Sequence, residues 1–352
     1  MIGQGRRASA VISYNGKNIS ADIAPYLKSL SYRDNLSGEA DDLQIVLEDR
    51  AGLWQSSWLP EKGASLHVTL KFSQWASLIG EETFPLGVFE IDEISVSGYP
   101  SEVQIKAVSV PDGNTLRGEE HTRSWEKAEL KTIAQDIASG AEMELFYDTE
   151  DNPVIDRAEQ TEQSDLSFLL ALCRDYGLAL KISDGKIIIF DEAKYEAEEA
   201  ALTFVKPGTA YTEDSEGKMT FLPHLLSYSI SSKIRDVFAA CHVKYQDSST
   251  KEIIETTFTA PGKTGKTLQV KEQVANTAEA ERLAKKRLRE KNKDEITASI
   301  SLPGSFHIAA GMTAMMQGFG AFDGKYIITE AEHSMSGGYT VRVDLRRCLN
   351  GY

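Results

Sequence analysis

Cysteine is scarce in this chain. Cys173, Cys241 and Cys348 are the three in 352 residues, and they lie far apart. An odd, dispersed set does not build a disulfide framework and fits synthesis in a reducing cytoplasm. Long apolar runs are missing too, and none approaches the roughly 20 residues that span a bilayer, so no membrane association is expected. The N-terminal MIGQGRRASAVISYNGKNIS carries Arg6 and Arg7 but lacks the apolar h-region of a secretion signal. Positive charge is in deficit: 38 Lys and Arg face 53 Asp and Glu, a formal charge of −15. Gripping a nucleic-acid backbone needs clustered cations, so specific nucleic-acid binding is not expected. DNA sliding past without being held is compatible with such a charge.

Catalytic and metal-binding signatures are equally sparse. The histidines (His67, His121, His224, His242, His307 and His333) are scattered, with none at i, i+4 around a Glu and none at ligand spacing from a cysteine. Cys241 and His242 are adjacent in a strand and point to opposite faces. No GxSxG elbow or cysteine-nucleophile signature occurs. Residues 260–267, APGKTGKT, resemble a phosphate loop, but Ala260 stands where a Gly is required and a strand pattern follows. They read as a hairpin turn between strands. No catalytic residue, cofactor or metal is expected.

What is present is short alternating segments. From residue 8 to about 110, ASAVISY, LQIVLED, SLHVTLKF, GVFEIDEISV and EVQIKAVSV alternate apolar and polar positions between turn residues. Around residue 111 the texture changes. Ser124 is placed to cap a helix through WEKAELKTIAQDIASGA, and Ser164 or Asp165 a second, LSFLLALCRDYG, with Gly177 just past its end. A strand, the turn Asp184-Gly185 and KIIIFDE follow, and the acidic run EAKYEAEEAA is expected at the surface. Beyond residue 201 strand patterning returns, interrupted by a helix near 277–292. The expected fold is mainly β: two antiparallel β-barrel domains, 1–110 and 201–352, flank a small α+β domain at 111–200.

Two stretches qualify as functional candidates. SGEADDLQIVLEDR concentrates Glu39, Asp41, Asp42, Glu48 and Asp49. Leu43, Ile45 and Leu47 make it a barrel strand, so its carboxylates are expected to be solvated or facing a channel. Trp54 and Trp58, at i, i+4 in DRAGLWQSSWLPEKG, are expected to cap the open end of the first barrel; the functional alternative is a protein–protein contact, where Trp is enriched.

The segments RRASAVISYNGKNISADIAPYLKSLSYRDN, SGEADDLQIVLEDRAGLWQSSWLPEKG and LGVFEIDEISVSG resemble the start of the phage late-control D family. These are the baseplate hub proteins of contractile phage tails and R-type bacteriocins (tailocins). SWEKAELKTIAQDIA, EQTEQSDLSFLLALCRDYGLALKISDGKIIIFDE, AEAERLAKKRLREKN and GFGAFDGKYIITEAEHSMSGGYTVRVDLRR are similar to the same family in the same order. The resemblance implies a fold like the central hub of phage T4, with two tail-tube-type barrels and the helix at 277–292 beside the second. It implies a homotrimer that adapts a threefold spike to a sixfold tube, initiates that tube, and meets the central spike protein, the tail tube or tube-initiator protein, the tape-measure protein and baseplate wedge components. The particle would be assembled from cytoplasmic protein into a baseplate. The competing expectations are a tail-associated cell-wall hydrolase and a carbohydrate-binding β-module; the latter needs aligned aromatics, and Trp54, Trp58, Trp75 and Trp125 do not obviously align.

Overall fold

A computed structural model describes residues 6–352 apart from 62, 75–79, 111–114, 209–224, 247–251, 275 and 306; Trp75 and His224 lie outside the described residues. The N-terminal β-domain contains β1 (Arg7–Tyr14), β2 (Lys17–Asn18), the single turn α1 (Ser20–Ile23), β3 (Leu27–Asn35), β4 (Asp42–Glu48), β5 (Ser65–Ser73), β6 (Glu81–Ser97) and β7 (Glu102–Val108). Asn15 and Gly16 turn β1 into β2 with φ of 46° and 80°, the pair of positive values that a two-residue hairpin needs. In β4, Leu43, Ile45 and Leu47 are buried while the residues between them are half-buried, so period-two patterning was a true guide.

The middle of the chain forms α2 (Thr115–Gly118), β8 (Glu120–Glu129), α3 (Leu130–Gly140), β9 (Glu144–Asp148), β10 (Val154–Ser164), α4 (Asp165–Asp175), β11 (Ala179–Ser183), β12 (Lys186–Phe190) and α5 (Glu192–Ala197). The helix expected from Ser124 begins six residues later. Residues 120–129 instead pair antiparallel with β10, Trp125 opposite Ala158, and the Trp125 ring stacks on Phe168 at 5.4 Å. Buried Leu130, Ile133, Ala134 and Ile137 carry the helical stripe. A distant residue supplies the side-chain acceptor at the helix start: the Lys131 N–H donates to Asn152 Oδ1 at 3.0 Å. Ser164 caps α4 as expected, accepting from the Ser167 N–H at 3.3 Å, and Gly177 follows that helix at φ 68°.

The remaining elements are β13 (Leu202–Val205), β14 (Ser227–Ser232), β15 (Ala240–Gln246), β16 (Ile253–Thr259), β17 (Thr267–Val270), α6 (Thr277–Asn292), β18 (Ile296–Pro303), β19 (Thr313–Gln317), β20 (Gly324–Met335) and β21 (Tyr339–Arg347). Residues 260–266 are a crossover rather than a hairpin turn. β16 and β17 do not pair with each other; β15 lies between them, antiparallel to β16 and parallel to β17. Helix α6 lays Ala280, Ala284 and Leu288 against Cys241 and Val243 of this three-stranded sheet.

β20 joins strands from the two ends of the chain. Along one edge it pairs with β21. Along the other, residues 324–327 pair with β19 and residues 330–335 pair with β3. At the irregularity between these halves, the Thr329 carbonyl accepts from the Leu36 N–H at 2.9 Å. The result, among the described residues, is one sheet of 13 strands, and its hydrophobic core draws on both ends of the chain. Tyr32 of β3 stacks on His333 of β20 at 5.9 Å, and Phe72 of β5 meets Tyr339 of β21 at 4.8 Å.

Two buried ionic clusters fix the α+β unit to this sheet. Asp41 and Asp34 face Lys181 of β11. The ammonium donates to Asp41 Oδ1 at 3.0 Å, to the Asn35 carbonyl at 2.6 Å and to Asp34. Ser183 donates to Asp41 Oδ2 at 2.7 Å, and the Ala310 N–H donates to Asp34 Oδ2 at 2.7 Å. Burial pushes Asp41 above the ordinary carboxylate range, with Lys181 opposing it. Burial lowers Lys181, but Asp34 and Asp41 outweigh it and hold the ammonium above its ordinary value. In the second cluster Arg346 of β21, buried, pairs with Glu192 at 2.6 Å and with Glu196, which also receives Arg289 of α6 at 2.6 Å. The run at 192–201 is therefore not wholly on the surface, because buried and half-buried arginines draw Glu192 and Glu196 inward.

Lys181→Met leaves two buried carboxylates unpaired, and chemical denaturation should register a loss of about 3–5 kcal/mol. His333 provides a pH test. Burial holds its pKa at about 4, below the ordinary 6.5. The unfolded chain then binds more protons between those values, so stability is full above about pH 6.5 and falls as pH drops towards 4, by about 3 kcal/mol in all. Thermal melts of His333→Phe, which keeps the ring against Tyr32, should show a flatter acid limb than the parent; equal slopes would refute the assignment.

Candidate functional site

The segment after β4 closes one end of the first β-domain. Asp49 organises it: its Oδ1 accepts from the Trp54 N–H and its Oδ2 from Gln55 Nε2, both at 3.1 Å. Tyr26, Trp54 and Trp58 meet edge to face, with ring centroids 5.4–6.2 Å apart. Trp54 is 5% exposed and belongs to the core, whereas Trp58 is 40% exposed beside exposed Leu59. Together they border a pocket of about 510 Å³ whose floor is Ile12, Ile45, Leu47, Leu66 and Ile91. The sequence candidates thus divide: Trp54 anchors the plug, and Trp58 presents an apolar surface outward.

The second feature is a face of the large sheet. Its inward residues fill the core, and its outward residues are polar in rows that cross the β20–β3 junction without a break. One row runs Ser301, Arg342, Glu332, Arg33, Asp42; the next runs Thr340, Ser334, Ser31, Gln44, Lys106, Glu93. Ser229, Ser299, Asp344 and Glu330 form a third. Charges neutralise one another locally: Arg33 lies 3.2 Å from Glu330 and 3.6 Å from Asp42, Arg342 lies 3.5 Å from Asp344, and Lys106 lies 2.8 Å from Glu93. Carboxylates are in excess, with Asp42, Glu93, Glu330, Glu332 and Asp344 against Arg33, Lys106 and Arg342. That crowding shows in their protonation. Burial and the neighbouring acids Asp41, Glu332 and Glu39 raise Asp42 against the pull of Arg33. Burial, Asp344 and Glu332 raise Glu330 against Arg33 and Arg342. Such a face, charged and poor in aromatics, is unlike the core of a dry protein–protein contact.

The acidic stretch 39–49 does not converge into one site. Asp41 and Asp49 are buried structural acceptors, a correction to the expectation that these carboxylates are solvated or facing a channel; Glu39 is exposed, and Asp42 and Glu48 lie outward on β4. The cause is the pairing of Asp41 with Lys181, about 140 residues away, and the capping of the Trp54 segment by Asp49. Asp34, Lys181, Glu192, Glu196 and Arg346 were not singled out by sequence, because nothing local marks a charged residue whose partner is remote. Among the described residues no group of three or more His, Cys, Asp or Glu side chains is placed to hold a metal ion. No helix among the described residues is long and apolar enough to cross a membrane.

Comparison with known proteins bears on what these surfaces belong to. The family model of the phage tail baseplate hub (GPD) matches residues 94–339, well over half of the chain. Probable baseplate hub proteins of Escherichia phages 186 and P2 are 27% and 28% identical over 179 residues, 51% of this chain. That matched stretch spans only 43% and 44% of those relatives. A tail protein from Neisseria meningitidis MC58 superposes with a TM-score of 0.71 at 13% identity, covering 97% of this chain and 96% of the other. That likeness extends the fold over nearly the full length, and the family match takes in Lys181, Glu192 and Glu196 while Asp34, Asp41 and Arg346 lie outside it. This chain belongs to the phage tail baseplate hub (GPD) family.

Proposed function

We propose that the chain is the structural hub of a contractile injection system, in the baseplate of a phage tail or tailocin. Three copies form a ring, adapt the threefold central spike to the sixfold tail tube, and initiate that tube. The observation that carries this reading is β20, which welds two β-domains into one sheet with a continuous polar face. Two tube-like domains per copy give a trimer six, the number that a sixfold tube requires. In this reading the division 1–110, 111–200 and 201–352 separates two tube-like domains from the α+β domain, and the polar face lines the lumen.

The charge supports a conduit. Three times −15 gives a formal charge of about −45 for the ring, and an acidic wall repels a polyanion rather than adsorbing it. DNA or the end of a tape-measure protein would slide past without being held. Trp58 and Leu59, exposed at the plugged end of the first β-domain, are the proposed contact for a spike, tube-initiator or wedge component. The role is structural rather than enzymatic.

Mass measurement in solution, with and without the spike protein, tests the ring; a monomer that binds neither spike nor tube would refute the hub. In the trimer, Gln44→Cys and Ser299→Cys, placed in a Cys348→Ser background, should react with a small maleimide but resist a bulky polymer-linked one. Equal labelling by both reagents would put the polar face outside. Trp58→Ala should leave the melting transition almost unchanged while weakening partner binding by about 30-fold, the size of a 2 kcal/mol hot spot. Trp54→Ala should instead destabilise the fold by about 3–5 kcal/mol.

A further inference from the structure

Residues 238–294 are inserted at the tip of the β14–β18 hairpin. The ladder that pairs Ser232 with Ile296 continues one step further, the Lys233 N–H donating to the Glu295 carbonyl at 2.8 Å. Beyond it, Asn292 ties the two ends of the insertion together: its Oδ1 accepts from the Phe238 N–H at 2.9 Å and its Nδ2 donates to the Phe238 carbonyl at 2.8 Å. Between these two fastenings lie residues 234–237 and 293–294, where Ile234 is 92% exposed. The inserted lobe has its own core of Cys241, Val243, Ala280, Ala284 and Leu288, separate from the cores of the large sheet and of the α+β unit.

Where the lobe meets the rest of the chain, the named contacts are charged. Lys286 donates to Asp151 at 2.5 Å and to the Tyr176 carbonyl, Arg287 lies 3.3 Å from Asp175, and Arg289 lies 2.6 Å from Glu196. The Lys286 stem lies across Gly177, where a Cβ would stand 2.7 Å from its Cδ. Clefts of about 490 and 520 Å³ border Lys286 on either side. A body with its own core, a neck of two strands beside the short C-terminal segment 348–352, and a cleft-flanked seat of charged contacts can turn without dismantling a hydrophobic core.

We infer that this lobe is a rigid arm pivoting about residues 234–237 and 293–294, with the buried Arg289–Glu196 pair beside the pivot and Lys286 and Arg287 as the outer ionic latch. The latch is weak by construction. Partly exposed ion pairs contribute little and weaken with salt. The tail residue Tyr352 travels with the arm, since its hydroxyl accepts from Asn292 at 2.8 Å. The arm's position sets the widths of both clefts.

Pulsed electron-spin distance measurement decides the matter. Labels at Glu281→Cys on α6 and Gln135→Cys on α3, in a Cys348→Ser background, report the arm; labels at Gln135→Cys and Arg342→Cys report the fixed body. The intact latch at low salt should give one dominant separation for the first pair. Lys286→Ala with Arg287→Ala should raise the population at a second separation about tenfold, the effect of losing about 1.4 kcal/mol. About 1 M sodium chloride on the intact latch should act in the same direction, which decides the question even if the double variant does not fold. An unchanged single separation under both treatments would overturn the inference, as would an equal broadening of the fixed-body pair.

Discussion

Everything in this molecule hangs on the split pairing of β20. A 12-residue strand gives its first residues to β19 and its last to β3, so elements from the two ends of the chain share one hydrogen-bonded sheet. The constraint is strict because side chains alternate with period two: a slip of one residue at either half would turn the core face outward. The irregularity at Thr329 absorbs the change of partner, and the Leu36 N–H satisfies the carbonyl exposed there. His333, Tyr32, Phe72 and Tyr339 then fill the space beneath the junction.

With the sheet set, the α+β unit is held by charge as much as by apolar contact. Lys181 sits between Asp34 and Asp41, and Arg346 between Glu192 and Glu196. Burying such groups is costly unless every partner is present. The clusters therefore act as fasteners that favour one docking geometry, because a shifted arrangement would strand charges inside. The contrast with α6 is instructive. Its lobe carries its own core; the pairs that Lys286 and Arg287 make with the α+β unit are partly exposed, and Arg289 alone among its named cations reaches the buried Glu196.

Much of this was legible in the letters. LQIVLED alternates as a half-buried strand because its apolar positions face one way, and the α4 cap at Ser164 and the stop at Gly177 are where local chemistry puts them. The helix read from Ser124 was illegible at its start: WEKAE is a plausible first turn, yet β10 offers it a strand partner and Phe168 a ring to stack on. Trp54 and Trp58 looked equivalent in sequence. Only the plug organised by Asp49 shows that one is core and the other surface. Carboxylates were the hardest to place, since Asp41 and Asp42 are adjacent in sequence and lie in opposite environments.

The sequence by itself determined the β-rich character, the positions of most strands and the acidic balance, because alternation, capping and net charge are local or additive properties. Tertiary structure alone decided that β20 pairs with both β19 and β3, that Asp34 and Asp41 belong to Lys181, and that 260–266 cross over β15 rather than turn back. It also decided that polar residues from distant strands align into one face. Each of these depends on which remote segments meet, and a pairing of that kind leaves no mark in the neighbouring residues of either partner.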